Sequence, residues 1–408
     1  MNHPAAHLAP VSTPPSRPAR DARIDLFRGA ALLAIFVNHI PGNPARFLTW
    51  NWLGFSDAAE LFMLLAGLSL ALAYWGFHAR HGWLRLALRL GARSFRLYRT
   101  YLLLALALAA GGAAAFATTG DRAIVWHLGI EPLLDDTVAA LPALFALQYL
   151  PGYADILATY VPLMLASAFL LPLAARGVGL VLLPSGLLWA YVQVTGANLS
   201  AGFQGERWMF NPLAWQFLFC IGLCIGVGAK RGLSWPRHWL LDIAAVTWVL
   251  AGMVAVEPWR QLGFDHPLPS FLALPLGAKE GLGWPRLLHI LALTHLVVRF
   301  LPAGADVLRA AWLSPLRLLG RQPLPVFALG AVLSFAGHYA LIAWPDPGLA
   351  RLLFINAGGA TALLLLAALL EWQAAGMPRP DMALRGPWHL FTPPPRPVAR
   401  MMSVEARS

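Results

Sequence analysis

The chain has 408 residues, of which 58% are hydrophobic and only 12% charged, with a mean hydropathy of +0.61. Soluble domains carry about 25% charged residues, so a chain this poor in charge lacks the polar surface to sit in water and reads as an all-α integral membrane protein. The net charge of +11 does not point to nucleic acid, because most Arg lie in short segments between apolar runs and no aromatic-interleaved basic domain is present.

Residues 1–23 are rich in Pro, Ala and Arg without an apolar core, and read as a disordered cytoplasmic tail, not a signal peptide. Ten apolar runs follow, at 24–41, 56–77, 98–118, 155–175, 177–195, 211–228, 239–257, 284–302, 322–342 and 349–372. At about 1.5 Å per residue, roughly 20 residues cross the hydrocarbon. The expectation is one domain, 24–375, built as a bundle of about ten transmembrane helices, with residues 376–408 a second disordered cytoplasmic tail. With the N-terminus inside, 23 of the 30 Lys and Arg fall on the cytoplasmic side and 7 outside, which is the asymmetry expected for ten crossings with both termini cytoplasmic.

The first two runs form a hairpin with ionisable groups where lipid disfavours them. Asp25 and Arg28 open the first helix and His39 lies near its end; Asp57 and Glu60 open the second. Eleven residues at about 100° each bring Arg28 and His39 to one face, about 16 Å apart along the axis. Asp25, three residues before Arg28, can pair with it. An imidazole inside a membrane helix is costly without partners and is suited to general-base work near neutral pH. Asp-x-x-Glu before an apolar run is also a capping-box start. The two carboxylates therefore read either as helix caps or as acids that orient His39 in a His–acid dyad.

Arg85, Arg89, Arg93, Arg96 and Arg99 fall within an arc of about 120° and make a basic stripe on a cytoplasmic amphipathic helix. The stripe reads as an anchor to anionic head groups of membrane lipids, or as a landing site for a phosphorylated ligand. In the long outer connection 119–154, the run 138–150 is too short to span and suggests a re-entrant or interfacial helix, with Gln148 and Tyr149 at the outer mouth. Cys220 and Cys224 lack the His or carboxylate neighbours of a zinc site, and no metal is expected. Gly222 and Gly226 fit a close helix contact. Further polar groups cluster at Asn211, Trp215 and Gln216, at Lys279, Glu280, Arg286 and His289, and at Arg321, Gln322 and His338. Each also reads as a cap, a snorkelling residue or an interhelical bond.

The segments DLFRGAALLAIFVNHI and GFSDAAELFMLLAG resemble the start of the OpgC family, within the wider acyltransferase-3 group, whose hallmark is the Arg-x10-His spacing of Arg28 and His39. Further similarity runs through LQYLP (147–151), FNPLAWQFLF (210–219), GWPRLLHILAL (283–293) and LGRQPLPVFALG (319–330), covering roughly residues 20–345. The resemblance implies a multi-pass protein of the bacterial inner membrane. Such a protein moves an acyl group, typically succinyl, from cytoplasmic acyl-coenzyme A to hydroxyls of periplasmic glucans, with succinyl-coenzyme A as co-substrate and no permanently bound cofactor. His39 is then the expected base, with Glu60 or Asp57 orienting it. Asp25, Arg28, Asn38, Ser56, Asn211, Gln216, Arg321 and Gln322 are the expected substrate contacts, and Arg85, Arg89 and Arg93 the donor phosphate contacts. Two other readings stay open: transfer of acetyl or another acyl group to a different polysaccharide or lipid-linked sugar, and a sugar or lipid transporter or flippase with His39 in a proton relay.

Overall fold

A backbone in hydrocarbon has no water to bond, so its amides must be satisfied within helices or closed barrels. The structure, a computed structural model, describes residues 21–50, 54–199, 207–255, 279–343 and 348–376. Its regular elements are helical: α1 (Ala22–Asn38), α2 (Ala58–Thr119), α3 (Arg122–Leu128), α4 (Glu131–Asp135), α5 (Thr137–Phe145), α6 (Asp155–Arg176), α7 (Gly179–Thr195), α8 (Pro212–Lys230), α9 (Trp239–Ala255), α10 (Trp284–Phe300), α11 (Ser314–Arg321), α12 (Pro323–Ala343) and α13 (Leu349–Gly376). The chain divides into a body ending at Ala367 and a C-terminal unit from Ala368. The described part of that unit, to residue 376, is the end of α13. The expected tails, 1–23 and 376–408, fall almost wholly outside the described residues.

Each of the ten apolar runs lies on a helix, and among the described residues five helices are long and apolar enough to cross a membrane: α2, α6, α8, α12 and α13. The second and third runs share one helical stretch. The arginine-rich segment between them is not a separate surface helix; it continues into the third run because no proline interrupts 83–119. The break comes at Gly82, whose φ of 74° and ψ of 179° are open to a residue without Cβ. There the chain folds back. The Arg89 guanidinium lies 4.5 Å from the Phe77 ring centroid and that of Arg93 6.0 Å from the Tyr74 ring. A straight helix would separate residues 77 and 89 by about 18 Å. In the connection 119–154, two short helices, α3 and α4, precede α5, which takes the first part of the run 138–150 expected to be a helix. The Tyr149 hydroxyl donates to the Gly129 carbonyl and tucks that connection under itself.

Two glycine contacts set the core geometry. A Cβ on Gly222 would sit 2.1 Å from the Leu64 carbonyl oxygen, and one on Gly67 2.0 Å from that of Phe219, so α2 and α8 touch backbone to backbone. Likewise a Cβ on Gly29 would meet the Leu316 oxygen at 1.8 Å, and one on Gly320 the Asp25 oxygen at 1.8 Å. Small residues allow this approach where water supplies no hydrophobic drive between helices. The α1–α11 contact sets the N-terminal end of α1 against the Arg321–Gln322 corner.

Overpacking of this kind costs about 1–3 kcal/mol or more. Gly320→Val is therefore expected to lower the unfolding temperature in detergent clearly. Gly91→Val, where a Cβ meets nothing within 4 Å, is expected to leave it within the roughly 0.5 kcal/mol of a neutral surface change.

Candidate active site

α1 ends at His39, whose backbone N–H donates to the Ile35 carbonyl at 3.0 Å. α2 begins at Asp57, which caps it. The Asp57 carboxylate accepts from the Ala59 N–H at 2.7 Å and the Glu60 carboxylate from the Asp57 N–H at 2.8 Å, a reciprocal capping box. The remaining carboxylate oxygens face α10 and the turn before it. Lys279 Nζ reaches Asp57 Oδ2 at 2.8 Å, and Arg286 donates to Asp57 Oδ2 at 3.0 Å and to Glu60 Oε1 at 2.6 Å. Two negative and two positive charges thus close a neutral cluster around Glu60, which is 0% exposed. Trp215 Nε1 holds the Lys279 turn by donating to the Lys279 and Glu280 carbonyls at 3.0 and 3.1 Å. Burial pulls the Lys279 ammonium down, but Asp57 and Glu60 more than offset it and hold it above the ordinary lysine range.

This arrangement corrects the expected His–acid dyad. Neither Asp57 nor Glu60 is hydrogen-bonded to His39; their oxygens are taken by Arg286, Lys279 and helix N–H groups. Lys279 and Asp57 act on the His39 ring only through space. The ring is positioned instead by Tyr153, which stacks on it with centroids 4.5 Å apart and planes 10° from parallel. The Tyr153 hydroxyl donates to the His39 carbonyl. Tyr153 takes φ of 68°, uncommon for a side chain of its size. His127 meets Tyr153 edge-on at 6.2 Å and His338 at 4.8 Å. Burial holds His127 below the ordinary histidine range. His39 Nδ1 and His338 Nδ1 are buried with no hydrogen-bond partner among the described residues. Tyr153 and His127 carried no sequence signal, because the turn before α6 and the end of α3 meet His39 only through the tertiary fold.

At the other end of α1, Arg28 lies 3.8 Å from Asp25 and donates to the Gly320 carbonyl at 3.2 Å and to the Ser69 hydroxyl. Arg321 approaches Asp25 at 3.9 Å, and the Gln322 N–H donates to the Leu319 carbonyl at 3.2 Å, ending α11. α1 is unbroken between Arg28 and Asn38, so the one-face phase relation read from the eleven-residue spacing applies to its axis.

Several expected contacts have structural partners. Asn38 Oδ1 accepts from the Thr49 hydroxyl at 3.1 Å. The Ser56 hydroxyl lies 2.7 Å from His289 Nδ1, joining α10 to the entry of α2. Asn211 caps α8, accepting from the Leu213 N–H at 3.1 Å and donating to the Ala197 carbonyl at 2.8 Å. Gln216 accepts from the Ser185 hydroxyl at 2.5 Å and donates to the Ser185 carbonyl at 2.9 Å, an interhelical tie. Arg85 and Arg93 are exposed, while Arg89 is half-buried over Phe77. Cys220 and Cys224 are buried free thiols.

Breaking one partner of a buried ion pair leaves an uncompensated charge and costs about 3–5 kcal/mol. Arg286→Met is therefore expected to destabilise the protein strongly in thermal unfolding. Adding Glu60→Gln is expected to recover part of that loss, a non-additive cycle that separate, unlinked roles would not produce.

The family model described as OpgC protein matches residues 20–375. Comparison with curated proteins finds no match, and comparison with solved structures finds none. The match spans nearly all of the helical body, including α1, the entry of α2, the Lys279–Arg286 turn and α11, and the chain therefore belongs to the OpgC family and is, by that membership, an acyltransferase.

Proposed function

We propose that the chain is a ten-crossing O-acyltransferase of the bacterial inner membrane, with both termini cytoplasmic, that moves succinyl from cytoplasmic succinyl-coenzyme A to a hydroxyl of a periplasmic glucan. The observation that carries this reading is the His39 imidazole. It sits at the end of α1, fixed by the Tyr153 stack, and its Nδ1 has no hydrogen-bond partner among the described residues. A neutral imidazole without a partner has a lone pair to accept a proton.

The glucan hydroxyl gives its proton to His39 as its oxygen attacks the thioester carbonyl. The carbon–sulfur bond breaks, the thiolate takes the proton from the imidazolium, and ester and thiol are released. The base needs no carboxylate in contact. Asp57 and Glu60 instead hold Lys279 and Arg286, and that pairing fixes the entry of α2 against α10. Arg28 serves the donor end, sixteen or so ångströms deeper along α1. The exposed Arg85 and Arg93 suit the phosphates of the donor nucleotide, and Asn38, Ser56, Asn211, Gln216, Arg321 and Gln322 act as scaffold for the site through the bonds described above.

General-base removal typically costs about 10²–10⁴-fold in rate. In detergent-solubilised protein supplied with labelled succinyl-coenzyme A and glucan, His39→Ala is expected to lose transfer on that scale. Its unfolding temperature is expected to fall only by what the lost Tyr153 stack contributes, since Nδ1 has no hydrogen-bond partner among the described residues. Transfer at the unaltered rate would remove His39 from the chemistry.

A further inference from the structure

Tyr160 on α6 is a polar group without an evident structural duty. Its ring is buried, 4% exposed, and its hydroxyl has no hydrogen-bond partner among the described residues. A phenol without a partner in an apolar bundle costs free energy that a phenylalanine of the same shape would not. Buried polar groups of this kind call for a reason, such as a ligand that supplies the missing partner.

Two helices fix its depth. Tyr160 lies in the second turn of α6, which starts at Asp155, and Tyr153, which stacks on His39, immediately precedes that helix. On α2, Phe62 packs edge-on against Tyr160 with centroids 5.7 Å apart. Phe62 lies seven residues before Ser69, whose hydroxyl accepts from Arg28. Tyr160 therefore sits between the level of His39 and the level of Arg28. The Arg28 charge also reaches the phenol through space. α1, α2 and α6 thus place three groups in depth order: an imidazole, an unpartnered O–H donor, and a guanidinium.

We propose that the Tyr160 hydroxyl binds the acyl donor by donating a hydrogen bond to its thioester carbonyl oxygen. This rests on the acyl-thioester reading of the site. In that reading the carbonyl must come within bonding distance of a hydroxyl poised at His39, while the rest of the donor extends toward Arg28. The depth of Tyr160 is the depth the carbonyl crosses. As the glucan oxygen adds, charge builds on the carbonyl oxygen, and a fixed donor there stabilises it without reorganisation.

Tyr160→Phe tests the inference cleanly, because it keeps the ring against Phe62 and removes only the unpartnered hydroxyl. Its unfolding temperature is expected to be unchanged or higher. Its kcat/KM for the donor is expected to fall roughly tenfold or more, equally with succinyl-coenzyme A and acetyl-coenzyme A, while KM for glucan is unchanged. Wild-type rates with both donors would overturn the inference, as would a loss confined to succinyl, which would place the hydroxyl on the terminal carboxylate. If the unaltered protein transfers nothing from any acyl-coenzyme A, the acyl-donor reading itself falls, and with it this assignment.

Discussion

Glu60 is a carboxylate buried in the first turn of α2, and the His39 end of the site depends on how its charge is neutralised. A lone carboxylate there would carry a desolvation penalty of several kcal/mol. Arg286, reaching across from α10 at 2.6 Å, makes the charge tolerable, and Lys279 does the same for Asp57 at 2.8 Å. The consequence is geometric. The first turn of α2, the first turn of α10 and the Lys279 turn are locked together, and Trp215 ties that turn to α8. The Ser56–His289 bond adds a second link between the same two helices.

That lock frees the histidine. Because both acids are committed elsewhere, His39 is held by ring stacking and by its own helix end. Stacking fixes the plane of an imidazole without occupying either nitrogen, whereas a carboxylate partner would fix one nitrogen by using it. The ring is thus oriented and still has a nitrogen to offer a substrate. Beneath it, the backbone contact of Gly29 with α11 brings the Gly320 carbonyl to Arg28, so the deeper cationic end is set by the same economy of small residues.

Much of this was legible in the sequence, and the exceptions have physical causes. Hydropathy placed all ten apolar runs on helices because the hydrophobic length of a helix is a local property. Helical phase related Arg28 to His39 for the same reason. The capping-box pattern at Asp57 and Glu60 was also local, and it is realised. What the sequence could not show were partners brought from afar. Lys279 and Arg286 stood out as charges near α10, but nothing local said they would claim Asp57 and Glu60, more than two hundred residues away. Tyr153 and Tyr160 looked like ordinary residues of an apolar stretch until the turn before α6 met His39 and α6 packed on α2. The fold-back at Gly82 escaped notice because a glycine between two helix-forming segments marks a break without giving its angle. Asn211 and Gln216, in contrast, took the cap and interhelical roles that polar residues at such positions commonly take.

The central claim is that a cytoplasmic acyl donor reaches a periplasmic acceptor at His39 within one chain. It is tested most directly in proteoliposomes of defined orientation, with glucan enclosed on the outer face of the protein and labelled succinyl-coenzyme A added only to the face that carries the termini. Label on the enclosed glucan, abolished by His39→Ala, is the expected result. Label that appears only when donor and glucan share one compartment would contradict it.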